Sequence, residues 1–91
     1  LEARLREHPA VADVAVVGVP SLQWGETPVA FVVRRAGDAT DAEALRAWIN
    51  TRVGKVQRIS ALQLLDELPR SAIGKVLKRA LRDGYVAQGA S

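Results

Sequence analysis

Residues 11–20, Val-Ala-Asp-Val-Ala-Val-Val-Gly-Val-Pro, most restrict how this chain can fold. Five of the ten are valine. Valine is stiff about χ1, and it packs well on a pleated surface and less well in a helix. Asp13 is the one charge in the run, so a strand buried for much of its length is expected. A second run, residues 27–34 (Thr-Pro-Val-Ala-Phe-Val-Val-Arg), follows a loop around Gly25. So short a connection favours antiparallel pairing, with Pro28 near the strand's first residue.

Helical patterns flank these strands. Residues 1–8 read as a helix with Leu1, Leu5 and Ala3 on one face; His8 is a helix-end residue rather than a base, and Pro9 ends the pattern. This helix has no N-cap, entry turn or initiator methionine ahead of it, as expected of a sequence cut from something longer. After a polar turn at residues 36–39, Thr40 and Glu43 have the spacing of a capping box. Ala42, Leu45, Trp48, Ile49 and Val53 then recur at helical spacing as a core face, with Trp48 as packing, and Gly54 is a natural terminator. Residues 56–66 read as a third strand. The last helix is expected over residues 75–83, with Val76, Leu77, Ala80 and Leu81 facing inward and Gly84 as its stop. The order helix-strand-strand-helix-strand-helix predicts an α+β domain, a small, mostly antiparallel three-stranded sheet covered by helices. Residues 1–84 form that domain, and 85–91, rich in small residues, a frayed tail.

Composition narrows the function classes. At 91 residues the chain is one small domain. It has no cysteine, so no disulfide or thiolate metal site, and a single histidine, His8, with no carboxylates clustered near it. No metal ligands are therefore expected. No apolar run approaches the roughly 20 residues of a membrane span and no signal-peptide pattern opens the chain, which makes the cytoplasm the default setting. The net charge of +3 is unevenly spread. Residues 1–51 carry five cations against seven anions, whereas residues 52–82 carry eight cations against Asp66 and Glu67. A basic second half points to an anionic ligand or surface.

That basic half centres on residues 68–82, Leu-Pro-Arg-Ser-Ala-Ile-Gly-Lys-Val-Leu-Lys-Arg-Ala-Leu-Arg. Pro69 and Gly74 punctuate an exposed turn, and Lys75 is expected at the loop–helix junction, with Lys78, Arg79 and Arg82 following. A cation there faces the positive end of the helix dipole. Folding asks for no lysine at such a place, so something anionic does. Gly74 would allow close backbone approach to a ligand or a positive φ.

The same stretch carries a resemblance. Pro69-Arg70-Ser71-Ala72-Ile73-Gly74-Lys75, with Lys78-Arg79 and Leu81-Arg82, is similar to the last signature motif of the adenylate-forming (AMP-binding) acyl-CoA synthetases. Leu1-Glu2, Leu5, His8-Pro9, Val11, residues 16–20, Gly25-Glu26, residues 28–33 and Asp66-Glu67-Leu68-Pro69 extend the likeness over nearly the whole chain. The resemblance implies the small C-terminal domain of such a ligase, a mobile lid on a large N-terminal adenylation domain that is absent here. The segment that normally precedes Leu1, with the interdomain hinge, is missing too. ATP, coenzyme A and a carboxylic acid would be the substrates, with Mg2+ bound by the absent domain. Lys75 would be the catalytic lysine of adenylation, with Gly74 beside the nucleotide. Lys55, Arg58, Lys78, Arg79 and Arg82 would contact coenzyme A phosphates, the last three alternatively the large domain or only solvent, and Trp24 would line the pantetheine path. The family often has proline where Gln57 stands, a departure next to Arg58. The isolated domain would be inactive. The spacing of Pro69 to Gly74-Lys75 also resembles sites at which lysine acetyltransferases inactivate such enzymes.

Two other functions compete. A carrier-protein-loading adenylation enzyme shares the motif, but residues 76–82 look more like those of the ligases. From a different class, a basic module could bind nucleic acid or a protein partner. The basic segment has no aromatic stacking residue and the net excess is small, so nucleic acid is not expected as a partner.

Overall fold

The computed structural model of the protein describes residues 2–21, 25–53 and 59–87. Helix α1 (Glu2–Arg6) leads into strands β1 (Val11–Ser21) and β2 (Gly25–Arg34); helix α2 (Ala42–Asn50), strand β3 (Ala61–Leu65) and helix α3 (Lys78–Ala87) follow. The architecture is the expected α+β one, in the expected order. The sheet runs β1-β2-β3. β1 and β2 pair antiparallel, with Ser21 opposite Gly25 and Val16 opposite Ala30, and a register shift falls between Val11 and Asp13. β3 pairs parallel to β2, from Val29↔Ala61 to Val33↔Leu65, because α2 returns the chain to the end from which β2 set out.

Alternation along the strands divides the core in two. Leu5 of α1 and Leu45 and Ile49 of α2 pack with Val14, Ala30, Val32 and Leu62 on one face. Leu81 of α3 and Leu68 pack with Val17, Val19, Val29 and Phe31 on the other. Both faces of the central strand are therefore covered, which is why its sequence is continuously apolar. Ala3 of α1 is exposed. After α1, His8 Nδ1 accepts the Ala10 N–H at 3.0 Å, and the imidazole meets half-buried Trp48 edge-on at 4.9 Å.

Several boundaries differ from those expected. The N-cap of α2 is Asp41, whose carboxylate accepts the Ala44 N–H at 2.7 Å. Thr40 is not free to cap, since its amide and hydroxyl both turn back to Asp38, and Glu43 grips Arg46 through two 2.9 Å bonds. β3 begins at Ala61. Just ahead of it the Ser60 N–H bonds the Pro28 carbonyl at 2.9 Å, and Asn50 exchanges two hydrogen bonds with the Ile59 backbone. The expected start of that strand at Val56, and the Gly54 stop, lie outside the described residues. Helix α3 begins at Lys78 rather than Lys75, because an antiparallel bridge pairs Arg70 with Val76 and the Leu77 N–H bonds the Pro69 carbonyl at 2.8 Å. Backbone held extended through Leu77 cannot also be helical. Leu77 and Ala80 consequently stay exposed, and Leu81 and Val76 provide the packing. At its far end α3 passes through Gly84 to Ala87, so residues 85–87 are helix and not a frayed tail. The Tyr85 ring sits edge-on to Phe31 at 6.0 Å, a contact that offsets the roughly 0.5–1 kcal/mol cost of a mid-helix glycine.

The outer edge of β1 is met by α1. Glu2 Oε2 accepts the Val16 N–H at 2.9 Å, and Arg6 Nη2 donates to the Val14 carbonyl at 3.3 Å. Among the described residues no helix is long and apolar enough to cross a membrane.

The capping assignment gives a direct check. Asp41→Ala should cost about 1 kcal/mol in urea unfolding and Asp41→Asn only a fraction of that, since asparagine caps nearly as well.

Candidate functional site

The Lys75 region is a β-hairpin. The Ser71 N–H bonds the Lys75 carbonyl at 2.8 Å, and the Gly74 N–H bonds the Ser71 carbonyl at 2.9 Å. This is the pattern of a three-residue hairpin loop closed by a left-handed residue, and Gly74 fills that position with φ +86°. Its role in the backbone is thus the positive φ, at a turn and not at a helix entry. The Ser71 hydroxyl adds a 3.3 Å bond from the Lys75 N–H. Arg70 reaches along the hairpin to the Gly74 carbonyl at 2.8 Å and also pairs with Asp13 of β1. Ile73, beside Gly74, is 89% exposed. Lys75 is exposed as well, and among the described residues its ammonium has no ion-pair partner. The fold therefore presents a lysine on a hydrogen-bonded hairpin with no neutralising charge among the described residues.

With α3 beginning later, the dipole argument passes from Lys75 to Lys78 and Arg79, which stand in its first turn with no acidic residue among them. Lys78, Arg79, Arg82 and Asp83 line an open cleft of about 660 Å³ against Val16, Val17 and Gly18 of β1. The cations are not equivalent. Lys78 pairs with Glu2 at 2.7 Å, whereas Arg79 and Arg82 have no ion-pair partner among the described residues. Partial burial raises the Glu2 pKa, but the hydrogen bonds from Lys78 and the Val16 N–H, with the charges of Lys78 and Arg6, more than offset it. The carboxyl is held below its ordinary value. Glu2 thus joins the start of α1 to the start of α3.

Of the expected site residues, Gly74, Lys75, Lys78 and Arg79 are brought into one short segment, the first two on the hairpin and the others on the helix it feeds. Trp24, Lys55 and Arg58 lie outside the described residues. Three residues without an expected role join this segment: Arg70 and Asp13 at the Lys75 hairpin, and Glu2 at Lys78. The signal for Asp13 was present, a lone carboxylate inside an apolar strand. Among the described residues there is no group of three or more His, Cys, Asp or Glu able to hold a metal ion.

A family model for the C-terminal domain of AMP-binding enzymes matches residues 1–75. The chain belongs to that family. It is 45% identical over 86 residues to the 4-coumarate–CoA ligase-like 9 protein of Oryza sativa subsp. japonica, covering 94% of this chain and 16% of that one. It is 39% identical over 92 residues to the acetyl-coenzyme A synthetase of Deinococcus radiodurans, covering 98% of this chain and 14% of that one. Its backbone superposes on ATP-bound MatB from Rhodopseudomonas palustris with a TM-score of 0.86 and 32% identity, over 92% of this chain and 17% of that one. The AMP-binding C-terminal domain described here thus spans about one sixth or less of the length of these relatives.

The lowered Glu2 pKa fixes a pH dependence. The ionised pair with Lys78 stabilises the fold fully above the ordinary glutamate value, and the gain is lost as pH falls through the depressed folded value. Glu2→Gln should therefore flatten part of the acid-side fall in stability, read as urea midpoints over the acid range. An unchanged slope would mean that the pair contributes nothing.

Proposed function

We propose that this domain is the mobile C-terminal lid of an ATP-dependent acyl-CoA ligase and that Lys75 is its adenylation lysine. The observation that carries this reading is the exposed Lys75 ammonium on a hydrogen-bonded hairpin, without an ion-pair partner among the described residues. In the reaction a carboxylate oxygen attacks the α-phosphorus of ATP, pyrophosphate leaves, and an acyl-adenylate remains. Negative charge gathers between two anionic reactants, and an ammonium delivered there stabilises it without proton transfer. At about 4 Å and an effective dielectric near 20, the attraction is about 4 kcal/mol before desolvation. That corresponds to roughly a thousandfold in rate. A second half-reaction follows when the lid rotates, withdrawing Lys75 and admitting coenzyme A. Its thiolate attacks the acyl carbonyl and AMP departs.

Exposure of Ile73 next to Lys75 fits a hairpin that seats against a larger adenylation domain. The free guanidinium groups of Arg79 and Arg82 fit coenzyme A phosphates or an acidic patch of that domain, and Lys78, already held by Glu2, is the weaker candidate. Trp24, Lys55 and Arg58 keep the coenzyme A roles proposed from the resemblance, and Mg2+ is assigned to the large domain. Similarity to a coenzyme A ligase-like protein and an acetyl-coenzyme A synthetase favours coenzyme A over a carrier protein as acceptor. Taken alone, the domain is expected to make no acyl-adenylate. The carboxylic acid would be chosen by an acyl pocket in the large domain.

In the protein joined to its large domain, Lys75→Ala should lower acyl-adenylate formation about a thousandfold and leave thioester formation from supplied acyl-adenylate nearly intact. Equal loss in both half-reactions would overturn the assignment. We propose in addition that a lysine acetyltransferase regulates the enzyme at Lys75, because acetylation removes the same charge that truncation removes. Incubation with an acetyltransferase and acetyl-CoA, followed by peptide mass mapping, should find the modification there. Modification only at other lysines would reject it.

A further inference from the structure

Glycine at position 74 solves one problem and creates another. It reaches the left-handed φ of +86° that the loop requires, with nothing within 4 Å of where a Cβ would stand. For the same reason it constrains the peptide that follows it very little, and that peptide sets where the Lys75 side chain points. The Ser71 hydroxyl accepts the N–H of that peptide at 3.3 Å, and the carbonyl is held by Arg70. Arg70 Nη1 donates to the Gly74 carbonyl at 2.8 Å, while Nη2 bonds the Asp13 carboxylate. The guanidinium is a rigid planar fork, so the direction of the Gly74–Lys75 peptide is tied to the position of Asp13.

Asp13 is itself fixed from two further sides. Its Oδ1 accepts the Val14 N–H at 2.9 Å and faces Arg6 Nη1 at 3.4 Å. The register shift in β1 falls between Val11 and Asp13, and a bulge of this kind re-aims a side chain out of the regular alternation. A carboxylate in an otherwise apolar strand is costly unless it is paired, and this one is paired with both cations. One continuous chain of contacts then runs from α1 through the β1 bulge to the peptide bond in front of Lys75.

We infer that Asp13 and Arg70 are positioning residues for Lys75, acting on adenylation by orienting the Gly74–Lys75 peptide. The inference rests on the reading of Lys75 given above. Neither residue needs to touch substrate.

The test is a double-mutant cycle in the protein joined to its large domain. Arg70→Ala and Asp13→Ala should each slow acyl-adenylate formation about 10- to 100-fold, the loss typical of a reacting group misplaced by about an ångström. KM values for ATP and acid should change less than about twofold, and thioester formation from supplied acyl-adenylate should be unaffected. Arg70→Lys, which keeps the charge but not the fork, should recover only part of the rate. In a Lys75→Ala background neither alanine substitution should cost anything more. A further loss of the same size in that background, or equal loss in both half-reactions, would overturn the inference. Should Lys75→Ala itself leave adenylation intact, the reading of Lys75 has failed, and hydrogen exchange decides this inference separately. Amides of residues 71–77 should exchange faster in Arg70→Ala, and unchanged exchange would refute the positioning role.

Discussion

Four consecutive side chains of β2, Val29, Ala30, Phe31 and Val32, are all buried, and the rest of the domain answers that fact. A strand whose alternate residues point to opposite faces can bury all of them only if both faces are covered. α1 and α2 cover one, and α3 with Leu68 covers the other. Each buried aliphatic or aromatic side chain contributes roughly 1.5–3 kcal/mol, so loss of cover on either side removes several such terms together.

That requirement also positions the site. After β3 the chain must return across the sheet to place Leu68 and Leu81 on the same face, and the hairpin of Lys75 forms on the way. Lys75 is thus tethered on both sides by core residues yet lies outside the core. Glu2 and Asp13, from α1 and β1, reach the same region from the opposite end of the sequence.

Much of this was legible in the sequence. The β-branched runs announced β1 and β2, because a short apolar run so rich in valine favours a pleated strand over a helix. The helical face of Leu45 and Ile49 was equally clear. Less legible were features decided by competition among neighbours. Thr40 and Asp41 are both good caps, and only the contacts of Thr40 with Asp38 choose between them. Lys75 was expected to open a helix, since residues 75–83 have helical spacing; a bridge between Arg70 and Val76 overrides that preference, and spacing carries no record of it. Gly84 looked like a stop because its weak helix propensity is local, whereas the contact that holds the helix together, Tyr85 on Phe31, joins residues far apart. Site residues brought together by long-range pairing, Asp13 with Arg70 and Glu2 with Lys78, were the ones that spacing could not assemble.

The side chains of α1 that meet β1 occupy part of the sheet's outer edge. An edge strand with free amides and carbonyls invites another chain to add to it, and proteins shield such edges with charge or cover. Glu2 takes the amide of Val16 and Arg6 the carbonyl of Val14, so the middle of this edge is sealed by one acidic and one basic group in place of a neighbouring strand. A short helix that buries little beyond Leu5 therefore serves as a bumper against intermolecular sheet growth. Losing it would leave the middle of that edge open to pairing with another strand.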